Sequence, residues 1–288
     1  MEILNALPPY NLFGIEEQNY KSARIVAIPI PYDSTTTYRS GTRDGPRAII
    51  EASRNIELFS EELNRDVSKI GIYTTDEVAP DFSSPENMIK RIGKEIEPIL
   101  NDKKMPLLLG GEHTITLGSL LALSKKEKDF TLLHFDAHSD SRDSFAGARY
   151  CHACIIPRAN EFCKSYSIGV RSVDEKTAKN NKNILYMKDL HDMKTSEIIN
   201  SINKNSSKSV YITVDLDVID PTEMPSVGTP EPDGIYFRQL KEIIKGVAKL
   251  KRVIGMDFVE LNPVPGFNAP NYLAAKLIYL SLGYLFKD

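Results

Sequence analysis

Thr131-Leu-Leu-His-Phe-Asp-Ala-His-Ser-Asp140 is the stretch that decides how this chain folds. An apolar run passes abruptly into Asp136, His138 and Asp140, a carboxylate, an imidazole and a carboxylate at alternate positions. In an extended chain successive side chains point to opposite faces, so these three project from one side as a strand ends. Hard carboxylate oxygens with a minority of imidazole nitrogens suit a divalent ion such as Mn(II), whereas thiolates would point to zinc. Alone, the motif also reads as an aspartate-rich turn after a strand. The metal reading gains ground when other segments supply matching ligands.

Outward from this stretch, apolar runs alternate with helical segments. Further strands are expected at 23–31, 70–74, 105–109, 166–170, 184–187, 210–217 and 253–260. Pro46 is placed to open a helix, as is Pro85 behind Ser84 as cap, and helical patterns cover 116–124, 152–163, 197–203, 236–250 and 272–286. Parallel neighbours need crossover connections, so this alternation predicts an α/β fold: an eight-stranded, mostly parallel sheet flanked by helices in three layers. A closed barrel is the competing arrangement. Either fold gathers functional residues at the carboxyl ends of strands. His113, the Asp136/His138/Asp140 set and the pair Asp215/Asp217 all fall there.

The length of 288 residues fits a single domain over 1–288, and 41% hydrophobic with 26% charged residues is ordinary for a globular chain with a large core. A formal net charge of -3 and the lack of a dense Lys/Arg run give no reason to expect nucleic-acid binding. The first nine residues lack the pattern of a signal peptide, and no apolar run approaches ~18 residues, so a cytoplasmic protein without membrane contact is expected. Cys151, Cys154 and Cys163 are too few and too unevenly placed for a disulfide framework, and a zinc site at Cys151-x-x-Cys154 would need further ligands.

Asp215 and Asp217 flank apolar Leu216, so both are expected to face the mouth of the sheet while Leu216 packs beneath. The candidate ligands now number four Asp and two His. Two divalent cations balance the four carboxylates, whereas one would leave too much buried negative charge. His134 shares the parity of the set but lies deeper, and reads as a buried, hydrogen-bonded core residue; His191 reads as solvent-facing.

Gly110-Gly-Glu-His113, Asp136-Ala-His-Ser-Asp140 and Thr213-Val-Asp-Leu-Asp-Val-Ile-Asp-Pro221, in this order, resemble the motifs of the ureohydrolases, the family of arginases and agmatinases. The resemblance spans nearly the whole chain. It implies an arginase-like fold, two Mn(II) per chain, and attack of a metal-bridging hydroxide on a guanidinium carbon to give urea and an amine. It also implies that Asp136 and Asp215 bridge, that His113 and Asp140 complete one ion, and that His138 and Asp217 complete the other. Gly228-Thr-Pro-Glu231-Pro resembles the segment whose glutamate pairs with the guanidinium, and Tyr150-Cys-His152-Ala the segment whose histidine sits at the cleft mouth and can pass a proton to the leaving amine. Cys151 departs from the family's usual serine. If that serine orients the histidine, a thiol would do so weakly. Gly41 to Pro46 resembles a further family segment, with a tight backbone approach near the site as its expected role.

The resemblance is strongest to agmatinases, which make putrescine for polyamine biosynthesis, and it implies a homotrimer or homohexamer. Arginine or 4-guanidinobutyrate is the alternative substrate. A single-zinc deacylase would leave His113 and the Asp215/Asp217 pair unexplained, and a non-enzymatic polyamine sensor would not need the full ligand set.

Overall fold

The structure, a computed structural model, describes residues 7–286, so the reading of the first nine residues falls mostly outside it. Eight strands form one sheet: β1 Ile25–Ile30, β2 Ile72–Thr74, β3 Met105–Gly110, β4 Phe130–Phe135, β5 Lys164–Val170, β6 Ile184–Tyr186, β7 Ser209–Asp215 and β8 Arg252–Val259. Their order is β2-β1-β3-β8-β7-β4-β5-β6, and every pairing is parallel. The sheet has two free edges, at β2 and β6, so it is open and the barrel alternative is excluded.

Both faces are covered, which is why the strands read as continuous apolar runs rather than alternating ones. Ile25, Ala27, Leu107, Ile212 and Phe258 pack on one face against helices α1 (Gly45–Ser53), α7 (Thr195–Lys204), α8 (Phe237–Leu250) and α9 (Ala269–Leu285). Their neighbours Val26, Ile28 and Leu108 turn the other way, onto α2 (Pro85–Asn101). Phe130, Leu132, Tyr211 and Ile254 on that face meet α3 (Thr116–Ser124) and α4 (Ile155–Ala159). The period-two alternation of the strands thus feeds one core on the first face and two on the other. Among the described residues no helix is long and apolar enough to cross a membrane.

Several boundaries differ from expectation for local reasons. Residues Val67–Ile70 form a 3-10 turn that Asp66 caps, so β2 begins only at Ile72. The segment 152–163 is not one helix: His152–Cys154 is a 3-10 turn, and α4 ends at Ala159. Residue 187 opens the short helix α6 (Met187–Leu190) rather than closing β6, and α5 (Glu175–Asn180) and the hairpin Phe59–Ser60/Arg65–Asp66 were not anticipated. Ser84 does cap α2, accepting from the Asn87 amide at 3.1 Å.

The topology settles where a site can form. β3, β8, β7 and β4 are contiguous in the sheet although far apart in sequence, so His113, Asp215 and Asp136 emerge side by side at their carboxyl ends.

Candidate metal centre

Past Phe135 the chain bends at Ala137, with the His138 amide donating to Asp136 Oδ1 at 2.5 Å; His138 bridges to Ser172, and the chain turns again at Asp140, whose φ is 41°. A local bend rather than the expected pleat thus sets His138 beside Asp136, and a left-handed turn brings in Asp140. Asp217 corrects the sequence reading more strongly. Leu216–Val218 is a 3-10 turn, not an extended continuation of β7, and the Asp215 carboxylate caps it by accepting from the Asp217 amide at 2.9 Å. Both carboxylates still face the centre, but the turn rather than the pleat puts Asp217 there.

His113 Nδ1 is fully buried and has no hydrogen-bond partner among the described residues. It lies 3.2 Å from Asp136 Oδ2, 3.5 Å from Asp140 Oδ2 and 3.3 Å from Asp215 Oδ2. On the other side of Asp136, His138 Nδ1 is 3.6 Å from Asp136 Oδ1 and 2.8 Å from Asp217 Oδ2. Octahedral ligands about 2.1 Å from a cation stand roughly 3 Å from one another, close to these spacings. Asp136 thus turns one oxygen to each histidine.

The His113 tautomer follows from its surroundings. Thr213 Oγ1 donates its single proton to Asp257 Oδ1, so at 2.9 Å it can only accept from His113 Nε2–H. The Nδ1 lone pair is left facing three carboxylates, as a metal ligand requires, with Thr213 and Asp257 fixing the ring from behind. Without a metal the carboxylates favour a proton on Nδ1 instead, at the place a cation would take. Burial pushes the Asp140 and Asp215 carboxyls well above the usual range, and neighbouring carboxylates, Asp136 and Asp217 respectively, push them further. Burial would lower the His113 pKa, but Asp136 and Asp215 override it and hold the imidazole well above its ordinary value. A cluster so short of positive charge fits divalent cations.

His134 is wholly buried, with Nδ1 3.1 Å from Ser167 Oγ and Nε2 2.8 Å from Asp136 Oδ2. It sits beneath the cluster, stacked on His113 at 5.0 Å. His191 is exposed, 2.9 Å from Asp233.

A cavity of about 300 Å³ opens over the cluster, lined among others by His152, Arg142, Phe145 and Glu260. His152 sits at its wall with Nδ1 3.2 Å from Thr35 Oγ1. Thr35 gives its proton to Glu112 Oε1 at 2.8 Å and so accepts from His152, leaving Nε2 unprotonated toward the cavity. Burial, then the charges of His113 and His138, lower the His152 pKa. The worry over Cys151 is answered by position: its Sγ faces Cys154 Sγ at 3.0 Å, and Thr35 orients the imidazole instead.

Glu112 and Glu260 also serve the site, with no role that the sequence alone assigned them. Glu112, deeply buried, accepts from the Ser34 and Thr35 amides at 2.6 Å and from the Thr114 hydroxyl at 2.6 Å, tying the 33–35 loop under His152. Gly111 beside it is obligatory, since a Cβ there would stand 2.0 Å from Tyr32 O. Gly41 has the expected close approach, with φ 125° and its amide on Asp33. Glu260 closes β8 with φ 65°, a conformation uncommon for glutamate, and its Oε1 accepts from the His113 amide at 2.6 Å. Burial and then Glu112 raise its pKa to about 8. Glu231 stands further out: it is 37% exposed, and Oε1 is 3.8 Å from His138 Nε2.

This fold has known counterparts. Residues 23–283 match the Arginase family. The chain belongs to the arginase family. Its relatives in that family include the N(1)-aminopropylagmatine ureohydrolase of Synechocystis sp., 34% identical over 92% of this chain and 90% of the relative. The agmatinase of Pyrococcus horikoshii is 31% identical over 95% of this chain and 97% of its own length. Among arginase-family structures, the agmatine ureohydrolase of Thermoplasma volcanium superposes with a TM-score of 0.85 at 30% identity, covering 93% and 92% of the two chains. The protein is accordingly an arginase-family ureohydrolase enzyme with a His/Asp cluster suited to metal.

Proposed function

We propose that the protein is a binuclear manganese ureohydrolase that cleaves a guanidino amine to urea and a shorter amine, with agmatine as the simplest substrate and putrescine as its product. The observation that carries this reading is His113 Nδ1, buried, unpartnered and surrounded by one oxygen each from Asp136, Asp140 and Asp215. His113 and Asp140 would hold one ion, His138 and Asp217 the other, with Asp136 and Asp215 available to both. Two divalent ions bound here would lower the pKa of bound water and so supply a nucleophile at neutral pH.

The remaining residues bind and move protons. A guanidinium stays charged at any workable pH and matches a carboxylate through a two-pronged hydrogen bond. Glu260 is the better placed partner, because it lines the cavity and a guanidinium bound there would draw its raised pKa back down, while Glu231 stands further out beside His138. His152 lines the cavity with Nε2 unprotonated, so it would first take up a proton there from the attacking water and then pass it to the departing amine.

A second substrate is favoured by the relatives at 34% identity that bear the name N(1)-aminopropylagmatine ureohydrolase. That compound is agmatine with an aminopropyl group on its amine.

Two outcomes are expected here. Chelation of the metal should lower the melting temperature by several degrees, since an ion at 100 times its Kd adds about 2.7 kcal/mol to the native state. A thermal scan with and without chelator measures this, and an unchanged midpoint would contradict the reading. Glu260→Gln should keep both ions yet lower kcat/KM by at least ~2 kcal/mol, more than Glu231→Gln. Steady-state kinetics with metal analysis decide it: the reverse order would return the guanidinium contact to Glu231. The whole proposal is tested by urea release from Mn(II)-loaded protein supplied with agmatine.

A further inference from the structure

Arg171 follows directly on β5 and is only half-buried, yet its side chain is fully engaged. A guanidinium carries five N–H donors in a fixed fork, and here all five reach main-chain carbonyls. Nε donates to Pro232 O at 2.8 Å; Nη1 donates to Gly169 O at 3.3 Å and Val218 O at 3.2 Å; Nη2 donates to Asp217 O and Glu231 O, both at 2.8 Å. None of these acceptors is a carboxylate. The Arg171 backbone amide also donates to Ala137 O at 2.8 Å, between Asp136 and His138.

One residue therefore ties together three segments that meet around the His138 ring. Asp217 Oδ2 is 2.8 Å from His138 Nδ1, and Glu231 Oε1 is 3.8 Å from Nε2 on the opposite edge. The Asp217 carboxylate is itself held by the Ala137 amide at 3.0 Å. The 3-10 turn that carries Asp217 and the loop that carries Glu231 have no other cation shared between their carbonyls among these contacts.

We propose that Arg171 is a positioning residue for the His138/Asp217 half of the centre, fixing Asp217 and Glu231 on either side of the His138 imidazole. The proposal rests on the metal reading above. It explains why a cation beside an acidic centre spends every donor on carbonyls: an ion pair with a carboxylate would compete for the ligands, whereas carbonyl contacts set backbone positions and leave the carboxylates to the ions. Lysine, a point charge with three donors on a flexible stem, cannot span five acceptors.

The test is a calorimetric titration of metal-free protein with Mn(II), wild type against Arg171→Lys, with KM measured on the loaded enzymes. Loss of an outer support weakens metal binding by about 10- to 100-fold. Arg171→Lys should therefore keep one ion at wild-type affinity, weaken the other by that factor, and raise KM. His113→Ala, run in parallel, should weaken the opposite ion. A merely structural role would lower both affinities together with the melting temperature of the metal-free protein, and that outcome overturns the proposal. So does an Arg171→Lys protein that binds both ions as wild type does. Should that variant not fold, amide exchange on the wild type decides: metal should slow exchange in 216–220 and 228–235 together, and an unaffected 228–235 segment overturns the coupling. Wild-type protein that binds no Mn(II) overturns the metal reading and this proposal with it, whereas two ions in wild type with an unaffected Arg171→Lys overturns this proposal alone.

Discussion

Asp136→Ala is expected to lose both metal ions and to lower kcat by at least ~10⁴-fold, on the order of 5.5 kcal/mol of transition-state stabilisation. The reason is its position. Asp136 Oδ2 faces His113 and Oδ1 faces His138, so its carboxylate belongs to both halves of the centre. Asp215→Ala should behave alike, because one Asp215 oxygen faces His113 while the other caps the turn that presents Asp217. His113→Ala touches one half only and should leave one ion in place. Metal analysis of purified variants, alongside activity with excess Mn(II), checks the pattern. Two ions retained by Asp136→Ala would sink the assignment of a shared carboxylate.

The second large effect is discrimination against arginine. Arginases carry, between the Asp-rich segment and the cleft histidine, residues that hydrogen-bond the α-carboxylate and α-amino groups. Here that loop is Ser141-Arg-Asp-Ser-Phe-Ala-Gly-Ala-Arg-Tyr150, without an equivalent set. In the structure Ser141 spends its hydroxyl proton on Ser139 O at 2.7 Å, and Arg149 lies out beside Asp143 at 3.9 Å. A carboxylate entering this mouth must shed water without adequate partners, and sites reject such mismatches strongly. We expect at least ~100-fold lower kcat/KM for arginine than for agmatine, or roughly 2.7 kcal/mol. Arg142 is the exception to watch. It lines the cavity with its guanidinium 5.1 Å from the Phe145 ring centre, so it is positioned to meet an anion. Side-by-side kinetics on agmatine, N(1)-aminopropylagmatine, arginine and 4-guanidinobutyrate decide the matter. Either guanidino amine first supports the reading, arginine first overturns it, and the guanidino acid first gives Arg142 the substrate.

How much of this was legible before the structure depends on how far each signal travels along the chain. The parallel sheet was legible because every strand is buried on both faces and therefore reads as an apolar run, as in Leu107-Leu-Leu109. The six candidate ligands were legible because strand ends concentrate them in short motifs. Asp217 reached the right place by a different route, and its signal was in view: an Asp two residues before an amide caps a turn as readily as it continues a strand. Glu260 could have been found by applying the strand-end argument to β8 as it was applied to β3, β4 and β7. Thr35 and Glu112 could not. Their contact joins positions 77 residues apart, and nothing local marks a threonine in a Ser/Thr-rich loop as the partner of His152. Arg171 was hidden for the same reason, since its five acceptors lie in separate segments and are backbone atoms, which leave no imprint on side-chain pattern.

The central claim, a two-ion centre that hydrolyses a guanidino amine, is tested most directly by urea release from agmatine and from N(1)-aminopropylagmatine as Mn(II) is added stepwise to metal-free protein. The account predicts that urea formation from at least one of them rises until two equivalents per chain are bound and then levels off. A plateau at one equivalent, or no urea from either compound at any metal loading, would contradict it.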